Sequence, residues 1–227
     1  SEILNDLDKE SEDNVFQRVE KRYKGLLGLR ELLGDENIDF QQNSGFEIFT
    51  ETDHNSFREC ESKLEYLNTQ LKFITKDKTY ILSNECIEQF GLNKVENLIQ
   101  NKFEGQLDTG KMMYVLAEKV RCLGVMILNG LEIKQIQNES NGVTLMTSEG
   151  FQINAGKVVI CTNGFAKEFL SELSISPGRA QVLITSEIKH LKLRGSFHYQ
   201  GGFYYFRNVN NRVLIGGGRN LDFQGET

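Results

Sequence analysis

The sequence predicts an α+β protein: a mixed, mostly antiparallel sheet carrying helices on one face, with a small β-meander beside it. Three observations lead there. Apolar residues step by three and four through two long stretches of the first third, Phe16-Val19-Tyr23-Leu26 and Phe57-Cys60-Leu64-Leu67-Leu71, the spacing of amphipathic helices. Around Asn141-Gly142 and Glu149-Gly150 short runs alternate in polarity, which is the pattern of hairpins. Two further strands, Phe203 to Arg207 and Arg212 to Gly218, lie a short turn apart near the C-terminus.

In chain order, residues 1 to 34 read as acidic and helical, with Gly34 closing the helix from the C′ position. Ile38 to Gln41 and Gly45 to Phe49 read as two short strands. Asp53 is placed to cap the second helix. Residues 72 to 107 show little regularity beyond a short helix at Ser83 to Phe90. Asp108 caps a helix that runs to Leu123 with Met112, Leu116 and Val120 inward, and Gly124 ends it. Strands follow at Met126 to Leu128 and Leu131 to Gln137, then Val143 to Thr147 and Phe151 to Ile153. Lys157-Val-Val-Ile-Cys161 begins with a continuous apolar run, which fits a strand buried on both faces. Thr162-Asn163-Gly164 turns the chain into a short helix from Phe165 to Leu173.

Composition narrows the function classes. The chain has 227 residues, 39% of them hydrophobic, enough for a real core. Its formal net charge of -6, with no basic run, argues against nucleic acid as a partner. No stretch is apolar for long enough to span a membrane, and the N-terminus lacks a basic, apolar leader. Cys60, Cys86, Cys122 and Cys161 form no close pair. They read as reduced core thiols, and the expected compartment is the cytoplasm. The chain starts without methionine and stops soon after a strand, so it reads as a piece of a longer protein.

The order of helix, strand, three-stranded meander, apolar run and Cys161-Thr162-Asn163-Gly164 resembles the FAD-dependent oxidoreductases of the D-amino-acid oxidase, glycine oxidase and sarcosine oxidase group. The resemblance continues in Ser176-Pro177-Gly178-Arg179-Ala180-Gln181-Val182, similar to that family's Pro-x-Arg-Gly-Gln-Val segment with Ala180 in place of its glycine. It ends in Phe203 to Arg207 and Arg212 to Gly218, similar to the family's hairpin against flavin and substrate. The family's N-terminal strand, its Gly-x-Gly-x-x-Gly turn and ribose-binding acid, and its C-terminal segment have no counterpart here.

The resemblance implies three parts: residues 1–107 as the helical and short-strand part of a substrate domain, 108–173 as the closing, Rossmann-like part of an FAD-binding domain with its meander, and 174–227 as substrate-domain strands facing the flavin. It implies FAD in the parent protein, with weak or no binding by this chain alone. Cofactor contacts would come from Ile133, Thr162, Asn163, Gly164, Gly216, Gly217 and Gly218. Substrate contacts would come from Tyr204, then Tyr205, with Arg219 as the anion contact. Each group has a plainer reading: the glycines as a turn or bulge that needs positive φ, Thr162 to Gly164 as an ordinary strand-to-helix turn, and the aromatics as sheet packing. His190 and His198 read as loop histidines.

Three functions stay open. One is oxidation of an amine or amino acid, with a small-molecule substrate. Another is dehydrogenation of a 2-hydroxy acid or glycerol phosphate. The last is a non-catalytic packing module. Missing segments would leave apolar surface along Val158 to Cys161 exposed, so the chain is expected to form a homodimer or otherwise self-associate.

Overall fold

The computed structural model describes residues 2–221 and divides into two compact units, 2–119 with 180–221, and 120–179. Residues 222–227 of the expected third part lie outside the described residues.

The larger unit is built on a seven-stranded sheet. Helices α1 (Glu2–Leu7) and α2 (Glu12–Leu33) replace the single helix expected over 1 to 34. The break falls where Ser11 starts α2, its hydroxyl accepting the amide of Asn14. Gly34 closes α2 at φ 81°, its amide bonded to the carbonyl of Arg30. Strand β1 (Gly45–Phe49) leads to α3 (His54–Thr75). Asp53 precedes α3, but its carboxylate accepts the amide of Thr50 at 2.8 Å and does not cap α3 as expected. Next come β2 (Tyr80–Leu82), the short helix α4 (Cys86–Phe90), β3 (Asn97–Asn101) and α5 (Thr109–Cys122). Asp108 caps α5 by accepting the amide of Lys111 at 2.9 Å, and Gly124 follows at φ 81°. Met112, Leu116 and Val120 are half-buried, but no residue of α5 is fully buried. In the second unit, β4 (Ile133–Glu139), β5 (Gly142–Thr147) and β6 (Gln152–Ala155) form the meander. The chain then returns to the large sheet in β7 (Val182–Ile184), β8 (Ser196–Tyr199), β9 (Tyr204–Val209) and β10 (Arg212–Gly217).

The sheet order is β2-β3-β1-β8-β9-β10-β7. Among the described residues of this sheet, only the β1–β8 pair is parallel. Paired residues share a face. One face carries Phe46, Ile48, Phe197, Tyr199, Tyr204 and Phe206, and packs against Cys86, Ile87 and Phe90 of α4. Phe197 is fully buried and stacks on Phe206, with ring centroids 4.9 Å apart. The opposite face carries Phe49 and Ile99, which pack against Leu4 of α1 and Phe57, Cys60 and Leu64 of α3. Helices therefore cover both faces, not one, because β1 presents large apolar side chains on both.

Five other local expectations are corrected. Residues 35 to 39 form a turn with Asp39 at φ 51°, and Gln41 makes only a single bridge to Gln106. Residues 126 to 128 and 157 to 161 are not strands. Met126 is 78% and Val159 83% exposed. A buried parallel strand forms only between neighbours that take its amides and carbonyls, and no described strand flanks either segment. The short helix after Gly164 is a 3-10 turn over Asn163–Glu168. Cys60 is buried and Cys86 half-buried, but Cys122 and Cys161 are exposed, so only the first two pack inward; all four thiols are free.

Candidate functional site

A cavity of about 400 Å³ lies in the larger unit, between α1 to α3 and the Phe49 face of the sheet. Its apolar lining comes from Cys60, Leu64, Leu67 and Leu71 of α3 and from Phe49 and Ile99 of the sheet. These helix residues are the stripe read from the sequence, and Leu71 is 1% exposed. Glu2, Asp6, Arg18, Arg22, Glu47, Glu104 and His198 line the cavity as well, and Glu47 stands directly beside Ile99 across the β1–β3 pair.

Backbone close approach organises the charged side chains around Glu104. Gly45 starts β1, and a Cβ there would overlap the Glu104 carboxylate. Asn101 opposes Gly45 on β3 and donates its amide to Glu104 Oε1 at 2.8 Å. Glu104 Oε2 lies 3.7 Å from His198 Nε2 on β8. His198 pairs with Glu47 across the parallel junction and with Tyr205 on β9, so these three side chains share the cavity's face of the sheet. The Glu104 carboxylate 3.7 Å away raises the His198 pKa, with Glu47 and Glu2 adding to it against partial burial. Arg18 is bound to Asp6 at 2.8 Å and Glu10 at 2.9 Å, and Arg22 to Glu2 at 3.4 Å.

The residues singled out in the sequence fall in two places. Tyr204, Tyr205, Gly216, Gly217 and Gly218 meet in the β9–β10 hairpin, with Tyr205 opposite Gly216 and Tyr204 opposite Gly217. Tyr204 lies on the Phe206 face and Tyr205 on the cavity's face, as the alternation predicted. A Cβ on Gly216 would fall inside the Tyr205 ring, and one on Gly217 would overlap the Phe203 carbonyl and come within 2.7 Å of Tyr204 Cα. The hairpin backbone therefore needs glycine at 217, whereas at 216 the Tyr205 ring would have to shift. Gly217 and Gly218 also hold positive φ, 124° and 84°. Arg219 follows them, exposed, in a 3-10 turn. Other arginines serve the frame: Arg207 donates to the Leu107 carbonyl and Arg212 to that of Thr185.

Ile133, Thr162, Asn163 and Gly164 lie in the smaller unit. Ile133 pairs with Thr147 in the meander. Asn163 has φ 49°, and a Cβ on Gly164 would come within 3.1 Å of Pro177. The sequence reading missed His198, Glu104 and Glu47. A His-Tyr step alternating with Ser196 and Phe197 was the available signal for His198. Glu104 lies in the stretch with no visible period. Among the described residues no cluster of three or more His, Cys, Asp or Glu side chains is arranged to hold a metal, and no helix is long and apolar enough to cross a membrane.

A family model described as FAD dependent oxidoreductase matches residues 7–227. The chain belongs to this family. No curated protein matches it. Among solved structures it is similar to glycine oxidase from Bacillus cereus, with a TM-score of 0.70 and 16% identity over 91% of this chain and 58% of that one. It is also similar to L-proline dehydrogenase from P. horikoshii, with a TM-score of 0.65 and 21% identity over 88% and 54%. Iminodiacetate oxidase from Chelativorans gives a TM-score of 0.69 and 15% identity over 89% and 56%. At these identities the likeness shows a shared fold, and the chain spans little more than half the length of each.

The described residues fit FAD in part. Val182, Leu183 and Ile184 of the edge strand β7 are 55%, 61% and 53% exposed, and Ile215 beside them is 42%. Val182 and Ile184 lie on one face of this sheet edge, and Leu183 and Ile215 on the other. The Gly216 and Gly217 gaps are filled by the hairpin, and the Gly218 amide is bonded to the Phe203 carbonyl, so the run offers the cofactor a surface and no open cradle.

Proposed function

We propose that this chain is the substrate domain and the closing part of the nucleotide domain of an FAD-dependent enzyme that oxidises an amine or amino acid. The observation that carries this reading is the charge of the cavity: four carboxylates against two arginines and one histidine, with both arginines already joined to acids. An ammonium group suits that wall, whereas a glycerol phosphate or a 2-hydroxy acid would add negative charge to it.

The bound flavin supplies the two-electron acceptor for the carbon bearing the nitrogen. The chain's own residues hold and orient the substrate. Glu104 faces the ammonium, His198 orients the Glu104 carboxylate from β8, and the cavity's apolar walls hold the rest of the substrate. Tyr205 comes before Tyr204 in this proposal because it stands beside His198 on the cavity's face. Arg219 is proposed as a contact for an anionic group. Ile133, Thr162, Asn163, Gly164 and Gly216 to Gly218 are proposed to face the cofactor, and residues 108–173 to complete its domain.

The test is a product assay on the FAD-loaded parent protein. Amines should give a carbonyl compound with release of the nitrogen. A ketone from a 2-hydroxy acid without that release, or a protein that takes up no FAD, would overturn the proposal.

A further inference from the structure

Helix α1 lies loosely on the surface it covers. None of its residues is fully buried, and it stands between two hollows. On one side is the cavity of about 400 Å³, which Glu2, Ile3, Leu4 and Asp6 of α1 help to line. On the other is a hollow of about 290 Å³ bordered by Leu4, Asn5, Asp53 and Ser56. Leu4 and Cys60 border both spaces, and Leu4 packs against the cluster of Phe49, Cys60 and Ile99. Ion pairs add to this hold. Arg18 of α2 donates to Asp6 of α1 at 2.8 Å, and to both oxygens of Glu10, in the turn between the two helices, at 3.0 and 2.9 Å. Arg22 reaches Glu2 at 3.4 Å. A short helix that buries little apolar surface and leans on solvent-facing ion pairs opens readily without wider unfolding.

We propose that α1 is a movable cover: it swings out about residues 8–10, joins the two hollows into one cleft and uncovers Cys60, with Arg18 as the latch that holds it shut. The movement itself stands on the fold alone. That it admits substrate rests on the amine reading above. Cys60 reports the movement. It is 7% exposed, and burial pushes its thiol pKa up, so it reacts slowly while covered, because the thiolate is the nucleophile. Cys86 packs on the other face of the sheet, against the cluster of Phe46 and Phe197, and serves as the control for unfolding of the whole unit.

The test is alkylation of the parent protein by iodoacetamide, followed peptide by peptide by mass spectrometry. Arg18→Gln and Asp6→Asn should each speed the labelling of Cys60 about fivefold, the worth of one or two such ion pairs, and leave Cys86 at its wild-type rate. Should Arg18→Gln fail to fold, Asp6→Asn makes the same test from the cover itself. An unchanged Cys60 rate in a folded variant would overturn the proposal. So would a Cys86 rate that rises in step, since the whole unit would then be opening. Failure of the amine reading is seen separately: Cys60 would respond as described, but the FAD-loaded parent protein would oxidise no amine.

Discussion

Gly216 and Tyr205 show what one missing side chain can decide. The tyrosine ring lies where a Cβ on Gly216 would be, so Gly216→Ala must push a half-buried ring aside, at a cost of about 1 to 3 kcal/mol. Gly217→Ala is worse, because the atoms in its way are backbone and its φ of 124° is strained for an L side chain. Its cost should be about 2 to 5 kcal/mol, and urea denaturation of the two variants should place them in that order. The reverse order would contradict the hairpin geometry. From sequence, three glycines after a strand read equally well as a cofactor surface or as a turn. Only the register across to Tyr204 and Tyr205 shows how much of the run the hairpin itself requires.

His198 carries the pH dependence. Glu104 raises its pKa above the ordinary 6.5, so folding binds the proton more tightly than the unfolded chain does. That stabilisation is fully present below the unfolded value and is lost as pH rises through the folded one. Unfolding free energy should therefore fall as the pH rises from the ordinary 6.5 through the raised folded value, and Glu104→Gln should flatten that part of the curve. An unchanged slope in the variant would show that the pair does not form.

At the scale of elements, helix α3 depends on one buried amide. Asn68 is 7% exposed; its Oδ1 accepts the amides of Thr79 and Tyr80 at 2.9 and 2.8 Å, and its Nδ2 donates to the Tyr80 carbonyl at 2.8 Å. It ties the helix to β2. Asn68→Ala would strand these groups and cost about 2 to 4 kcal/mol, measurable as a lower denaturation midpoint. A change within about 0.5 kcal/mol would contradict the assigned contacts.

Elements with their own signal were legible. The α3 stripe, the Asn141-Gly142 hairpin, the α5 cap at Asp108 and the β9–β10 pair are all written locally. β2 and β3 were not, because three or five residues such as Tyr80-Ile-Leu and Asn97-Leu-Ile-Gln-Asn become strands only beside β1. The converse error fell on Val158 to Cys161, where the apolar run has the composition of a buried strand but lacks neighbours.

At the scale of the whole molecule, each unit leaves apolar surface uncovered. In the smaller one Val125, Met126, Leu128 and Val159 are more than half exposed; in the larger one Val182, Leu183 and Ile184 are too. Patches of this kind favour association, and sedimentation should show dimers or larger species that grow with concentration. A monomer at all concentrations would contradict that expectation. The family was legible in the order of motifs along the second half. The charged cavity was not, because it assembles Glu47, Glu104 and His198 from distant segments.

The most direct test of the central claim is the absorbance of the FAD-loaded parent protein, followed without oxygen as an amine is added. The account predicts that the flavin band near about 450 nm bleaches with an amine or amino acid and stays coloured with a 2-hydroxy acid. Bleaching by the hydroxy acid alone, or by neither, would contradict it.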